Sequence, residues 1–192
     1  VKGKEDPKDT ATVLEFFQLI HTSARDAAQV VRRLTEFYRR RGAGEPLTPI
    51  ESHVVVEEVV RLTEPKWKTE ARARGATIEV SIDAGATPWI EADLSGLREA
   101  LTNLVMNAVD AMPSGGSLRF RTSTSETHYE AEGATVPAGH AVIEVIDTGA
   151  GMAEQVRLRC LEPFFTTKGV RGTGLGLAMV YGFVRRHGGA IE

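Results

Sequence analysis

Apolar positions along the chain fall into blocks of different period. From Thr12 to Arg41, Val13, Phe16, Phe17, Ile20, Ala24, Ala27, Ala28, Val31, Leu34, Phe37 and Tyr38 recur at steps of three and four. That spacing predicts one long helix with a broad apolar stripe, and Arg25, Arg32, Arg33, Arg39 and Arg40 occupy its other face. So broad a stripe wants a helical partner. Gly42, Gly44, Pro46 and Pro49 then end the helix and make a linker. A mostly buried helix is expected from near Ser52, with Val54, Val55, Val56, Val59, Val60 and Leu62 apolar and Glu57 and Glu58 wet. Pro65 must kink or interrupt it, and Gly75 stops it. Thr77 to Ile82 alternates as a strand, and a short strand is expected around Trp89 to Glu91. Asp93 or Ser95 caps a strong helix that runs to Met112, before the turn Pro113-Ser114-Gly115-Gly116. Leu118 to Thr124 and Ala141 to Ile146 read as strands, with the polar stretch 126–139 as the hairpin loop between them. A glycine-punctuated segment spans Gly149 to Gly176, a last helix runs from about Leu175 to His187, and Ala190-Ile191-Glu192 starts a further strand. Several neighbouring strands are joined by short connections. The predicted fold is α+β: a two-layer sandwich with a mixed sheet and helices on one face, preceded by one long helix.

Composition narrows the class. The 192 residues are 42% hydrophobic and 26% charged, enough apolar surface for a core. A net charge of −3 gives no reason to expect nucleic-acid or anionic-membrane binding. The single Cys160 excludes an internal disulfide and points to a reducing, cytoplasmic setting. No apolar run approaches the roughly 20 residues of a membrane-spanning helix. The chain starts at Val1 and ends in the unfinished pattern Gly-Gly-Ala-Ile-Glu, so a piece of a longer protein, itself cytoplasmic or membrane-anchored, is expected.

The helix after Asp93 holds the first candidate chemistry. Its apolar stripe (Leu97, Leu101, Leu104, Val105, Ala108) is interrupted by Asn103 and Asn107, one turn apart on one face. Glu99 lies a turn earlier on that side, and Asp110 follows a turn later. Two asparagines on a helix surface are common. Two in register on a largely apolar helix suggest a polar site, and amide and carboxylate oxygens suit Mg²⁺. Asp147-Thr148-Gly149-Ala150-Gly151 follows an apolar strand. A carboxylate there can accept a hydrogen bond from an exocyclic amine, and the glycines admit a flat ring, although such a sequence is more often a turn. Gly172-Thr173-Gly174-Leu175-Gly176-Leu177 opens the last helix with neither Walker A nor Rossmann spacing. Small residues before a helix N-terminus suit phosphate, and serve equally well as structure. Between them Glu162-Pro163-Phe164-Phe165-Thr166-Thr167-Lys168-Gly169 reads either as a lid over a nucleotide or as an irregular loop with an apolar anchor.

The order of these elements is more specific than any one of them. Glu99-x-x-x-Asn103-Leu104-x-x-Asn107-Ala108, then Asp147-x-Gly149-x-Gly151, then Pro163 to Lys168, then Gly172-x-Gly174-x-Gly176 resembles the N, G1, F and G2 boxes of sensor histidine kinases. These share an ATP-binding superfamily with gyrase, MutL and a heat-shock chaperone. The resemblance covers about residues 47 to 192. The phrase Asn107-Ala108-Val109-Asp110-Ala111-Met112-Pro113, with Phe164 to Lys168, is most like the nitrogen-regulatory and hybrid-kinase branch. The segment Ala27 to Leu34 resembles the second helix of the family's dimerisation and phosphotransfer hairpin.

The resemblance implies two domains: residues 1–45, a partial hairpin helix and linker, and residues 46–192, an ATP-binding kinase domain. It implies ATP and Mg²⁺, with Asn107 as metal ligand and Asn103 and Glu99 in support. Asp147 would read the adenine amino group, and Gly149 and Gly151 would shape the base pocket. Gly172, Thr173, Gly174, Leu175 and Gly176 would cradle phosphates, with Asp110 and Thr167 also at the nucleotide and Lys168 reaching a phosphate. The expected partners are the acceptor-histidine helix of a homodimeric parent and the receiver domain of a response regulator. No His-Glu or His-Asp acceptor motif occurs, and His21 precedes Thr22, so the chain in isolation is not expected to phosphorylate itself. His53, His128 and His140 lack ligand-like spacing, His187 suits a cation at a helix C-terminus, and Cys160 reads as a buried small residue. The rival class is a related ATPase or an anti-sigma-type serine kinase that uses ATP as a switch. The long Arg-rich helix ahead of the ATP domain favours the histidine kinase.

Overall fold

The computed structural model describes residues 12–22, 25, 46–84, 88–131, 134–136, 138–169 and 172–192. The chain divides into two units, Val1–Ala43 and Gly44–Glu192, and each is described by itself. In the first, residues 12–22 form helix α1. Its large apolar side chains Val13, Leu14, Phe16, Phe17, Leu19 and Ile20 are all exposed. The rest of the expected stripe, Ala24 and Ala27 to Tyr38, lies outside the described residues.

The second unit opens with β1 (Thr48–Glu51), where a Pro-containing linker was expected. Pro49 is tolerated because β1 sits in a two-stranded antiparallel ladder, with Thr48 opposite Ala92 and Glu51 opposite Trp89. Helix α2 (Ser52–Leu62) follows and buries Val55, Val56 and Val59. At Pro65 the chain changes pitch into a π-helical turn, Pro65–Glu70, and returns to α in α3 (Ala71–Ala73). The Trp67 indole N–H reaches back to the Val60 carbonyl at 3.1 Å across this break. Next come β2 (Ile78–Ala84), β3 (Trp89–Ala92, the partner of β1) and α4 (Leu94–Ala111). Then come β4 (Gly116–Ser125), the short pair β5 (Tyr129–Ala131) and β6 (Ala134–Val136), and β7 (His140–Asp147). The expected loop 126–139 therefore holds a small antiparallel ladder of its own. A short α5 (Glu154–Arg157) and the last helix α6 (Gly176–Arg186) complete the unit.

The main sheet has the order β2-β4-β7, parallel between β2 and β4 and antiparallel between β4 and β7. It is the mixed sheet expected. Along β4, Leu118, Phe120 and Thr122 are fully buried while Arg119 and Arg121 between them are exposed. That alternation gives the sheet one dry and one wet face. The dry face packs beneath α2, α4 and α6, whose Val56, Val59, Leu97, Leu101, Val105, Val109, Val180 and Phe183 share one core with it. On the wet face Arg121 lies between Asp83 of β2 (3.3 Å) and Glu144 of β7 (3.7 Å). The expected strand at Ala190 to Glu192 is irregular instead, and Ile191 packs against the core as a side chain.

Candidate functional site

The seam between α4 and α6 is set first at the end far from the asparagines. Asp93 caps α4: its Oδ1 accepts the Gly96 N–H at 3.1 Å and the Ser95 hydroxyl at 2.9 Å. A Cβ on Gly96 would lie 2.9 Å from Phe183 Cδ2, so glycine is what lets α6 close onto α4. His187 ends α6, and its Nε2 accepts the Asp93 N–H at 3.2 Å while its Nδ1 donates to the Phe183 carbonyl at 2.8 Å. Its place after α6 gave no sign of this contact with Asp93.

At the other end of the seam α6 begins beside the two amides. A Cβ on Gly176 would stand 3.5 Å from Asn103 Oδ1 and 3.7 Å from Asn107 Nδ2. Among the described residues no side chain caps α6, and Leu175, at the N-cap, is 2% exposed and offers only its backbone. Asn103 Nδ2 is buried and has no hydrogen-bond partner among the described residues. An orphaned donor of this kind costs about 1–3 kcal/mol. The first turn of a helix with no side-chain cap and an unmatched amide donor, side by side, form a place for an anion.

Lys168 joins this group from the loop. Its Nζ donates to Asn107 Oδ1 at 3.0 Å and to Asp110 Oδ2 at 2.8 Å. Thr166 aims it, because Thr166 Oγ1 accepts the Lys168 N–H at 3.1 Å. Gly172 is needed there, since a Cβ would collide with Thr166 Oγ1 and lie 2.9 Å from Lys168 Cβ. The loop is pinned where Phe164 donates its N–H to the Gly174 carbonyl at 2.9 Å. Gly174 has φ +64 and a Cβ there would sit 2.6 Å from Phe164 O, while Phe164 itself adopts φ 69. A bulky residue in that conformation stores about 1–3 kcal/mol of strain. Behind it Arg159 stacks 4.4 Å over the Phe165 ring and pairs with Glu162 at 3.0 Å.

The loop after β7 meets the C-terminal end of α4. Asp147 Oδ1 accepts the Gly149 N–H at 2.8 Å, and the Ala150 N–H donates to the Ala111 carbonyl at 3.1 Å. A Cβ on Gly149 would lie 2.6 Å from the Ala111 Cβ, so this loop lies flush on α4. Thr148 stitches it to β4 through Ser117, at 2.9 Å and 3.1 Å. Gly151 meets open space and is required only by its φ of +66.

The structure thus gathers Asn103, Asn107, Asp110, Lys168, Gly172 and Gly176 in one place, with Asp147 and Gly149 at the adjoining end of α4. Glu99 is half-buried one turn before Asn103, Thr173 is half-buried and Thr167 is exposed. Sequence reasoning assigned no role to Thr166, which aims Lys168, or to Ala111, which floors the loop. The hydroxyl two residues before Lys168 was the signal for the first, while an alanine gives none. Cys160 is half-buried, its thiol donates to the Arg157 carbonyl at 3.2 Å, and burial raises its pKa above the ordinary thiol value.

Asn107 Oδ1 and the Asp110 carboxylate are hard oxygens that already face one ammonium, so their chemistry fits a cation. No group of three His, Cys, Asp or Glu able to hold a metal occurs among the described residues. Mg²⁺ is the cation that accepts so few protein ligands, because substrate phosphates and water complete its shell. Among the described residues no helix is long and apolar enough to cross a membrane.

Residues 92–192, just over half of the 192-residue chain, match the family described as histidine kinase-, DNA gyrase B-, and HSP90-like ATPase. The sensor kinase CckA of Brucella abortus (strain 2308) is 40% identical over 184 residues, which is 90% of this chain and 18% of that protein. The chain therefore spans about a fifth of that relative's length. The structure of full-length ShkA in complex with AMPPNP superposes with a TM-score of 0.67 at 27% identity, over 99% of this chain and 36% of that one. The histidine kinase ThkA, in complex with the response regulator protein TrrA, shares the fold at 20% identity and a TM-score of 0.61, over 97% of this chain and 47% of that one. A family match over that span, on a fold whose glycine-rich helix start and paired asparagines face each other, places the chain: it belongs to the histidine kinase-, gyrase B- and HSP90-like ATPases, as the ATP-binding catalytic domain of the sensor histidine kinase type.

Proposed function

We propose that this domain transfers the γ-phosphoryl group of ATP to a histidine of its parent protein, and that the group passes on to an aspartate of a response-regulator receiver domain. In the first step a bond from phosphorus to the imidazole nitrogen forms as the bond to the ADP oxygen breaks. The observation that carries the reading is the convergence of the α6 N-terminus, the orphaned Asn103 amide and the Asn107–Asp110–Lys168 cluster on one space. In this reading the backbone of Gly172 to Gly176, with Thr173 and Thr167, holds the phosphates. Asn107 is the protein ligand to Mg²⁺, with Asp110 beside it and Asn103 and Glu99 in support. The metal supplies charge neutralisation at the phosphates. The chain's own contribution is positioning, since phosphoryl transfer asks little covalent chemistry of the protein. Asp147 reads the adenine amine with Oδ2, because Oδ1 is engaged by Gly149.

The finer assignments belong to the same proposal. Residues 1–45 represent part of the dimerisation and phosphotransfer hairpin of a homodimeric parent, and 46–192 the kinase domain, acting in the cytoplasm where ATP is. The phrase from Asn107 to Pro113 supports the nitrogen-regulatory and hybrid-kinase branch. ShkA with AMPPNP and ThkA with TrrA support the nucleotide and the receiver as partners by analogy. The test is a titration of ATP with Mg²⁺ against wild type and Asp147→Asn. Loss of a charged acceptor for the amine is expected to weaken binding about tenfold or more. Equal binding by both proteins would sink the adenine-reading assignment.

A further inference from the structure

We propose that Lys168 is a built-in competitor of the nucleotide-bound metal: its ammonium latches Asn107 Oδ1 to Asp110 Oδ2, and metal–nucleotide must break this latch to bind. The inference rests on the ATP-binding reading above and goes beyond it, because it assigns Lys168 an opposing role at the cation's own ligand.

Three observations carry it. The ammonium lies 3.0 Å from the one oxygen assigned to the metal and 2.8 Å from the nearest carboxylate. A divalent ion bound to Asn107 Oδ1 would stand about 2.1 Å from that oxygen, within a few ångströms of a unit positive charge. Two cations so close at one oxygen repel, so the hold of one weakens the hold of the other. Second, the placement is built. Thr166 holds the Lys168 N–H, and Gly172 is free of a Cβ because Thr166 and Lys168 occupy its space. Third, the loop carrying Lys168 is rooted in the strained Phe164, hydrogen-bonded to the glycine just before α6. Latch, phosphate cradle and metal ligand thus lie on one connected stretch of backbone and one helix.

The competition has a sign that other roles for Lys168 lack. Without divalent metal the lysine is the cation near the phosphates, and removing it weakens nucleotide binding. With Mg²⁺ present the lysine blocks Asn107, and removing it strengthens binding. ADP lessens the opposing contribution, since it lacks the γ-phosphate that a released lysine would reach and leaves it only the β-phosphate. The experiment measures ADP affinity by calorimetry for wild type, Lys168→Met and Lys168→Arg, each with EDTA and with Mg²⁺. Circular dichroism melts verify the fold of each variant. Lys168 and Asp110 are 41% and 38% exposed, so the latch is screened by water. The expected gain for Lys168→Met in Mg²⁺ is accordingly about two- to fivefold, with a loss in EDTA and near wild-type values for Lys168→Arg. Weaker or unchanged ADP binding by Lys168→Met in Mg²⁺, with wild type binding normally, overturns the latch and leaves the ATP-binding reading standing. No nucleotide binding by wild type overturns both.

Discussion

Asn103 and Asn107 were visible in the sequence because amides are poor helix formers, and two at a four-residue step on an apolar helix need a reason. The reason lies in packing that no spacing reveals: Gly176 brings the start of α6 against both. His187 shows the opposite case. Its place after α6 suggested a cation, and nothing in the spacing pointed to its partner 94 residues away in sequence, the Asp93 N–H. Cys160 was expected to be a buried small residue, and it is half-buried with its thiol donating to the Arg157 carbonyl. Desolvation raises its pKa, so at pH 7 less of it is thiolate than in an unfolded chain. Alkylation by iodoacetamide at pH 7 is therefore expected to be slower in the native protein than in urea, with the native rate rising only at more alkaline pH than the denatured one. A native rate equal to the denatured rate would show that burial does not hold the thiol.

Among the elements, those with a clean period were legible and those made by partners were not. Strand β4 announces itself by alternation, and α4 by its stripe and its Asp93 cap. Strand β1 does not, because Pro46 and Pro49 read as linker and only the ladder with β3 makes it a strand. The end at Ala190 to Glu192 errs the other way: apolar enough for a strand, it packs by Ile191 alone. The two faces of β4 predict unequal costs. Phe120 is completely buried between the sheet and its helices, so Phe120→Ala should lose about 3–5 kcal/mol in urea unfolding. Arg121 spans Asp83 and Glu144 on the wet face, and Arg121→Ala should lose about 1 kcal/mol or less. Comparable losses from both would mean that the wet face is covered in solution.

At the scale of the whole molecule, α1 turns six large apolar side chains to solvent within the chain itself. The stripe read from the sequence was expected to want a helical partner. A second copy is the partner proposed here, and sedimentation should show self-association that Phe16→Asp with Phe17→Asp reduces. A concentration-independent monomer for wild type would refute it. In the larger unit the two halves of the site hang from a single rod. Asn107 faces the lysine, and Ala111, four residues on, carries the loop of Asp147 on its carbonyl and its methyl. Four residues of helix span about 6 Å, and each residue turns the helix by about 100°. Residues 107–111 therefore act as a phase-locked spacer. Substitutions that keep the helix leave the alignment of the two halves intact. A single inserted or deleted residue would swing Asn107 a quarter-turn away from Lys168 while the base-side loop stayed in place, so the length of this stretch is constrained separately from the side chains it carries.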